Sequence, residues 1–332
     1  MRRALTVAFA LALAALAIAG AMTLDLGAAA HALAGADPEL LAAAVALYAV
    51  GQTISGGMWA TCQAAGGVRR LPLGTALGMH WVARAACELL PASLGEAARV
   101  ALVRRHPAGA RAGGLRITGG RVGYKALDAL VTGVAVLAMA LVVPLPGPAA
   151  GLRWTAAGAV AVVVAAAVAW RLGALRPLLG LLPGRARDAL GRVGEGAGVL
   201  GSREASRTAA VLGLGAIVAR LLSLAALLAA LGAPPQAAAL AFCVIVLAGI
   251  VPAAPGGAGT RELVLIPALT LAYGMPGDEA LAFSIAVQGT ALVTSLAVGA
   301  AAFAWLAPGL TGRRAREAGT AAGEPAAERA AA

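Results

Sequence analysis

The sequence has little charge, few aromatic side chains and a single lysine. Only 12% of its 332 residues are Asp, Glu, Lys or Arg, and 4% are Phe, Trp or Tyr, whereas 61% are hydrophobic. About a quarter of the residues in a soluble domain are charged. The shortage of charge excludes a soluble globular domain and predicts an all-α polytopic membrane protein.

The residue clusters that hold metals or nucleotides are also missing. Cys62, Cys87 and Cys243 stand alone in or beside apolar runs, without a CxxC spacing, and the three histidines are equally scattered. We therefore expect neither a disulfide framework nor a metal site, and no cofactor. The GGAGT run at 256–260 lacks the Lys-Ser/Thr ending of a phosphate-binding loop, so nucleotide hydrolysis is not expected either.

The net charge of +11 comes from cations between the hydrophobic runs and at both ends of the chain. Cytoplasmic loops of membrane proteins carry such an excess, and no basic patch lies on a soluble fold. We therefore expect no nucleic-acid partner. The distribution of cations predicts a multi-pass protein of the bacterial inner membrane with both termini in the cytoplasm.

Hydrophobic runs predict about eight crossings within a single transmembrane domain, residues 1–310. The first run could be a cleaved signal peptide, but its length of about 20 residues fits a retained span better. Residues 171–207 are predicted to form an amphipathic cytoplasmic connection, and residues 311–332 a disordered tail. The predicted crossings are residues 4–24, 40–61, 124–143, 154–170, 208–231, 237–251, 263–273 and 280–307.

Two segments interrupt this pattern, ELLPASLGEAAR (Glu88–Arg99) and VPAAPGGAGTRE (Val251–Glu262). In each, a proline is followed four residues later by a glycine, and then by an acid and an arginine. Paired interruptions of this kind indicate a transporter's binding site. Proline and glycine leave helix ends inside the membrane, where free N–H groups can hold an anion. Residues 71–92 are predicted to be re-entrant, because the arginine-rich flank from Arg99 to Arg121 is expected to be cytoplasmic, like Arg69 and Arg70.

Charged side chains at this depth need a partner or a cavity, because each costs at least about 2.5–3.5 kcal/mol to insert. Arg84 with Glu88, four apart, and Lys125 with Asp128, three apart, are predicted to pair on one helix face. Neutralised pairs that merely allow insertion are the alternative for both. The predicted lipid pathway comprises Arg84, Glu88, Pro91, Gly95, Glu96, Arg99, Lys125, Asp128, Arg220, Pro252, Pro255, Gly256, Gly257, Gly259, Arg261 and Glu262.

These motifs resemble the membrane region of the lysylphosphatidylglycerol synthases, a flippase-like family. LLPASLGEAARVALVRR, GYKALDAL and IVPAAPGGAGTRELVL followed by AYGMPGDEALAFS occur in the family's order, over roughly residues 5–310. The resemblance implies a helical bundle with re-entrant segments that handles lipids, in some members aminoacylated phosphatidylglycerol. Lys125 stands at the family's polar position in GYKALDAL, and Gln288 stands where we expect arginine. No soluble aminoacyltransferase domain follows, so the synthase activity is not expected.

We expect a protein that binds an anionic phospholipid or lipid-linked headgroup and moves it across the membrane, and not an enzyme. One alternative is a membrane-embedded transferase that acts on a lipid or polyprenyl-phosphate donor, although the predicted external acids lie only in short loops. Another is an accessory subunit of a lipid-modifying synthase. A partner lipid-modifying enzyme and a homo-oligomer are left open.

Overall fold

The structure, a computed structural model, describes residues 26–68, 71–89, 92–106, 112–142, 184–248 and 260–310, with single positions between 154 and 165. Within these residues the chain forms α-helices and short 3-10 turns, and no strand, which confirms the all-α prediction. The helices are α1 (Leu26–Ala34), α2 (Pro38–Ala65), α3 (Leu73–Leu89), α4 (Ala92–Arg105), α5 (Gly114–Val142), α6 (Gly184–Gly196), α7 (Arg203–Ala230), α8 (Ala238–Ala248), α9 (Thr260–Tyr273) and α10 (Gly277–Leu310).

In the described part of the chain, 4 helices are long and apolar enough to cross a membrane: α2, α5, α7 and α10. They coincide with the crossings predicted at 40–61, 124–143, 208–231 and 280–307. The runs at 237–251 and 263–273 correspond to the shorter helices α8 and α9. Residues 4–24, most of 154–170 and the tail from 311 lie outside the described residues, so the total of eight crossings stays a prediction.

The crossing predicted at 124–143 is the second part of a longer helix, α5, which begins at Gly114. The flank with Arg116 and Arg121, predicted to be cytoplasmic, is therefore helical. Each of these arginines contacts an acid on another helix: Glu195 of α6 and Glu96 of α4. The point at which α5 enters the membrane stays a prediction.

The segment predicted to be re-entrant consists of α3, and α4 follows it after residues 90–91, which lie outside the described residues. The two helices pack closely, since a Cβ on Gly95 would lie only 2.3 Å from Cys87 Sγ. Gly95 therefore has a packing role between α3 and α4. Re-entry itself stays a prediction.

Two apolar clusters lie at different heights along the long helices. One contains Leu228 of α7, Leu265 of α9 and Phe283 of α10. The other contains Trp59 of α2 and Met79 of α3, among others. Ala44 of α2 belongs to the first cluster and Met58 to the second, about 20 Å apart at 1.5 Å per residue. Along α2, the polar residues Tyr48 and Gln52 lie between these two positions.

Local signals fix the ends of several helices. Asp37 caps α2 by accepting a hydrogen bond from the backbone N–H of Glu39 at 2.8 Å, and Ser202 caps α7 through Ala205 N–H at 3.3 Å. Gly274, at φ +65°, follows the last residue of α9. Glycine adopts this left-handed conformation without steric cost, which makes it the usual residue after a helix end.

The described part of the predicted amphipathic connection includes α6, which crosses α5 at almost backbone-to-backbone distance. A Cβ on Gly119 of α5 would lie 2.1 Å from the carbonyl oxygen of Val193, and one on Gly196 would lie 2.2 Å from that of Arg116. At the crossing, Arg116 Nε donates to Glu195 Oε2 at 3.0 Å. The small residues thus hold α6 against the start of α5.

Gly119→Ala should destabilise the protein by about 1–3 kcal/mol, the usual cost of overpacking a tight contact. Gly191→Ala is the matched control on α6, because a Cβ there meets nothing within 4 Å. Thermal unfolding in detergent should show a lower melting temperature for Gly119→Ala and an unchanged or higher one for Gly191→Ala. Equal melting temperatures would contradict the crossing.

Candidate functional site

A cavity of about 180 Å³ lies among polar side chains at the edge of the first apolar cluster, whose residues Leu224 and Phe242 line it. Three arginines from three helices line it: Arg84 of α3, Arg220 of α7 and Arg261 of α9. Its other polar walls are Tyr48, Gln52, Ser223 and Thr290, and its apolar walls include Leu224, Phe242 and Val287. The volume is below the roughly 300–1,000 Å³ of most small-molecule pockets. The cavity therefore has room for only a small group of atoms.

Arg84 is held by one ion pair and one hydrogen bond. Its Nη2 contacts Glu88 Oε1, one helical turn further along α3, and donates to Tyr48 Oη of α2 at 3.3 Å. The Glu88 side chain is only 3% exposed, whereas 34% of the Arg84 side chain is exposed. The carboxylate is therefore enclosed, and part of the guanidinium remains open towards the cavity.

Arg220 enters the cavity from the middle of α7, against α2. Its Nη2 donates to Ser55 Oγ at 3.4 Å. One turn away, Ser223 Oγ donates to the backbone oxygen of Ala44 at 2.8 Å. These two contacts join α7 to α2, and they fix the height at which the Arg220 guanidinium meets the cavity.

Arg261 and Glu262 lie in the first turn of α9, which begins at Thr260. Glu262 Oε1 accepts a hydrogen bond from Ser284 Oγ of α10 at 2.9 Å, while Arg261 lines the cavity. The first N–H groups of a helix have no partner within the helix and carry its positive dipole end. The helix start predicted at this motif is therefore present, next to the arginine-lined cavity.

Positive charge exceeds negative charge around the cavity. The three guanidinium groups of Arg84, Arg220 and Arg261 lie near two carboxylates, Glu88 and Glu262, and both carboxylates already accept from a neighbour. Residues 249–259, which precede α9 and lie outside the described residues, contain no ionisable side chain. The arrangement favours an anion with several oxygen acceptors, because guanidinium groups pair bidentately with such groups.

A second charged cluster, which we call the Glu96 cluster, lies beside the cavity and contains Glu96, Arg99, Arg121, His80 and Trp59. Arg121 of α5 contacts Glu96 Oε1, and Arg99 Nε lies 3.4 Å from Glu96 Oε2. Arg99 Nη1 lies 3.0 Å from His80 Nδ1, and its guanidinium carbon is 5.4 Å from the centroid of the Trp59 ring. His80 and Arg84 are four residues apart on α3, so this helix links the cluster to the cavity.

The residues predicted for one lipid pathway therefore occupy separate places. Arg84, Glu88, Arg220 and Arg261 surround the cavity, with Glu262 next to it, whereas Glu96 and Arg99 belong to the Glu96 cluster. Lys125 and Asp128 form their predicted pair on α5, with Nζ 4.0 Å from Oδ2, and 60% of the lysine side chain is exposed. Outside the described residues lie Pro91, Pro252, Pro255, Gly256, Gly257 and Gly259.

Several polar residues in or next to the cavity were missed by the sequence analysis because they are uncharged. Tyr48 and Gln52, which line the cavity, and Ser55, which contacts Arg220, recur at helical spacing along α2, inside an otherwise apolar span. That spacing was the available signal, since polar residues at i, i+4 and i+7 lie on one face of a helix. Arg121 and His80 carried no such signal, because their partners are on other helices.

A comparison with protein families finds that the model for the lysylphosphatidylglycerol synthase TM region matches residues 4–299. The chain belongs to this family. The resemblance inferred from the motifs is thereby confirmed. A comparison with curated proteins finds no match for this chain.

Membership of the lysylphosphatidylglycerol synthase TM family and the long apolar helices together identify a multi-pass membrane protein. The match includes both charged groups of residues, the cavity and the Glu96 cluster. Gln288 of α10, where the sequence analysis expected arginine, also lies within the match, and its Oε1 has no hydrogen-bond partner among the described residues. The positive charge that lines the cavity comes from Arg84 of α3, Arg220 of α7 and Arg261 of α9.

Glu88→Gln should lower stability by about 1.5–3 kcal/mol, the usual value of a hydrogen bond to a charged group, because Arg84 loses its carboxylate. The double variant Arg84→Gln/Glu88→Gln should recover part of the loss, since it removes the unpaired charge. Thermal unfolding in detergent measures both.

Glu195→Gln is the matched control for this loss. It removes another Arg–Glu pair, but one whose side chains are 49% and 56% exposed, and such surface pairs contribute only about 0–1 kcal/mol. A loss in Glu88→Gln no larger than in Glu195→Gln would show that the internal pair is not structurally important.

Proposed function

We propose that this protein binds the headgroup of an anionic phospholipid or lipid-linked molecule in the arginine cavity and moves it across the bacterial inner membrane. The observation that carries the proposal is the convergence of Arg84, Arg220 and Arg261 on one cavity. The chain spans the membrane, and the cavity lies among its packed helices. An ionised residue at such depth usually faces a substrate path, a water-filled cavity or a partner.

The acidic residues support a net negative headgroup. Four carboxylates of the described residues lie on α3, α4, α5 and α9: Glu88, Glu96, Asp128 and Glu262. Each is already engaged. Their partners are Arg84, Arg121, Lys125 and Ser284, respectively. A headgroup with an additional ammonium group would have to compete with these partners for a carboxylate, whereas a phosphate meets arginines in excess.

The shape of the cavity supports a lipid as the bearer of that phosphate. Its polar side holds the three guanidinium groups, and its apolar side holds Leu224, Phe242 and Val287. The phosphate oxygens would accept hydrogen bonds from the arginines while the first carbons of the lipid chains pack on the apolar wall. Tyr48 and Thr290 would contact the uncharged part of the headgroup.

Movement across the membrane requires that the headgroup leave as well as bind. The pairs Arg84–Glu88 and Glu262–Ser284 supply internal partners that neutralise or hold these side chains when the cavity holds no lipid. Binding is then an exchange of partners, which avoids the cost of leaving an unpaired charge in the membrane. In this proposal both termini lie in the cytoplasm.

Proteoliposomes with fluorescent phosphatidylglycerol test the proposal, since a membrane-impermeant quencher reports the fraction in the outer leaflet. The wild type should accelerate lipid exchange between leaflets. Arg261→Ala should slow it about tenfold or more, because a hydrogen bond to a charged group contributes about 1.5–3 kcal/mol. Glu262→Gln should also lose activity without loss of expression.

Arg116→Ala is the control, since Arg116 is exposed and pairs with Glu195 away from the cavity. It should move lipid like the wild type. If folded wild-type protein moves no phospholipid or lipid-linked sugar, the proposal is wrong, and the transferase and accessory-subunit alternatives replace it. If Glu262→Gln retains full activity, Glu262 has no central role.

A further inference from the structure

The Glu96 cluster contains more buried hydrogen-bond donors than it uses. The Arg99 residue is 4% exposed and His80 3% exposed. Because arginine can only donate, His80 Nδ1 must be the acceptor of the 3.0 Å contact with Arg99. The ring proton is therefore on Nε2, which is buried and has no hydrogen-bond partner among the described residues.

Two other buried N–H groups of the cluster likewise lack a hydrogen-bond partner within the described residues: Trp59 Nε1 and Arg121 Nη1. Arg99 Nε makes no hydrogen bond there either, although it lies 3.4 Å from Glu96 Oε2 as an ion pair. Leaving a buried donor unsatisfied costs about 1–3 kcal/mol, and native structures contain few such groups. On the acceptor side, Glu96 Oε2 and the neighbouring Gln63 Oε1 lack a hydrogen bond. The surplus of donors fits a ligand that brings several oxygen acceptors.

Glu96 occupies the place where such a ligand would sit. Its carboxylate contacts Arg121 through one oxygen and lies 3.4 Å from Arg99 Nε through the other. It is also the most exposed of the three side chains, at 31%, against 5% for Arg99 and 12% for Arg121. A carboxylate and a phosphate present similar paired oxygens to a guanidinium, so Glu96 mimics a phosphate and covers both arginines.

We propose that Arg99 and Arg121 form a second phosphate-binding site, which Glu96 closes as an internal competitor. A phosphate group, carried by a lipid headgroup or free in solution, displaces the Glu96 carboxylate and takes its two guanidinium partners. The inference deepens the proposed function and rests on it for the ligand class. The site lies beside the cavity, one turn of α3 away from Arg84, so it would hold the headgroup before or after the cavity does.

If Glu96 competes with the phosphate, removing its charge should strengthen binding. If Glu96 is only a structural ion-pair partner, removing its charge should not. Glu96→Gln keeps the shape of the side chain and removes its charge, so binding at Arg99 and Arg121 should strengthen. If Glu96 covers the arginines about nine-tenths of the time, the apparent affinity should rise about tenfold. If Glu96 serves only to neutralise the arginines, the same change should destabilise the protein and leave binding unchanged or weaker.

The experiment is calorimetric titration of the full chain in neutral detergent, with dioctanoyl phosphatidylglycerol and with inorganic phosphate as separate probes. The measurements are made in an Arg261→Ala background, which impairs the cavity. Glu96→Gln should bind phosphatidylglycerol about tenfold more tightly than the background protein. Adding Arg121→Gln should abolish the gain. Glu195→Gln, which breaks the exposed pair with Arg116, should change nothing.

No gain in Glu96→Gln for either probe, with the fold verified by thermal unfolding, overturns the second site. A gain for both probes supports a site for the phosphate group itself, and a gain for phosphatidylglycerol alone supports a lipid headgroup site. Should Glu96→Gln fail to fold, Arg121→Gln alone decides, because it must weaken binding of phosphatidylglycerol. Lipid movement between leaflets is measured separately. If the protein moves no lipid but Glu96→Gln still binds more tightly, the proposed function is wrong and the second site is supported.

Discussion

The cost of burying an ionised side chain in a membrane helix constrains the rest of this structure. The internal acids each contact a partner, as in the pair of Arg84 with Glu88 and the contact of Arg121 with Glu96. These contacts determine which helices lie together: α4 against α5 through Glu96, and α2 against α3 through Tyr48 and Arg84. Arginines outnumber acids around the cavity, so pairing within the chain leaves a positive surplus there. That surplus is the physical basis of the anionic ligand that we propose.

The apolar parts of the helices place this charge at a defined height. Leu228 and Phe283 pack in one cluster, and Met58 and Trp59 in the other. Tyr48 and Gln52 of α2 lie between these levels, and the cavity that they line is bounded on its apolar side by residues of the first cluster, Leu224 and Phe242. The Glu96 cluster is also partly accessible, through the exposed part of Glu96.

Sequence reasoning succeeded where the determining interaction is local. Arg84 and Glu88 are one helical turn apart, so their pairing follows from helix geometry, and the start of α9 at Thr260 follows from the glycines and prolines before it. It did not reach contacts between residues that lie far apart in the sequence. The contact of Arg116 with Glu195, 79 residues away, was not predicted. The separation of Glu96 and Arg99 from the cavity likewise depends on how α4 packs against α3 and α5, which no local pattern encodes.

The most direct test of the central claim is to identify the molecule that occupies the cavity. A photoreactive amino acid at Val287, which lines the cavity, is compared with one at Val293, which is 64% exposed on the same helix. After illumination in native membranes, mass spectrometry identifies the attached lipids. The account predicts that position 287 captures anionic phospholipids or lipid-linked phosphates well above their share of the bilayer, while position 293 captures lipids in bulk proportion. Capture in bulk proportion at both positions, or no lipid at position 287, would contradict it.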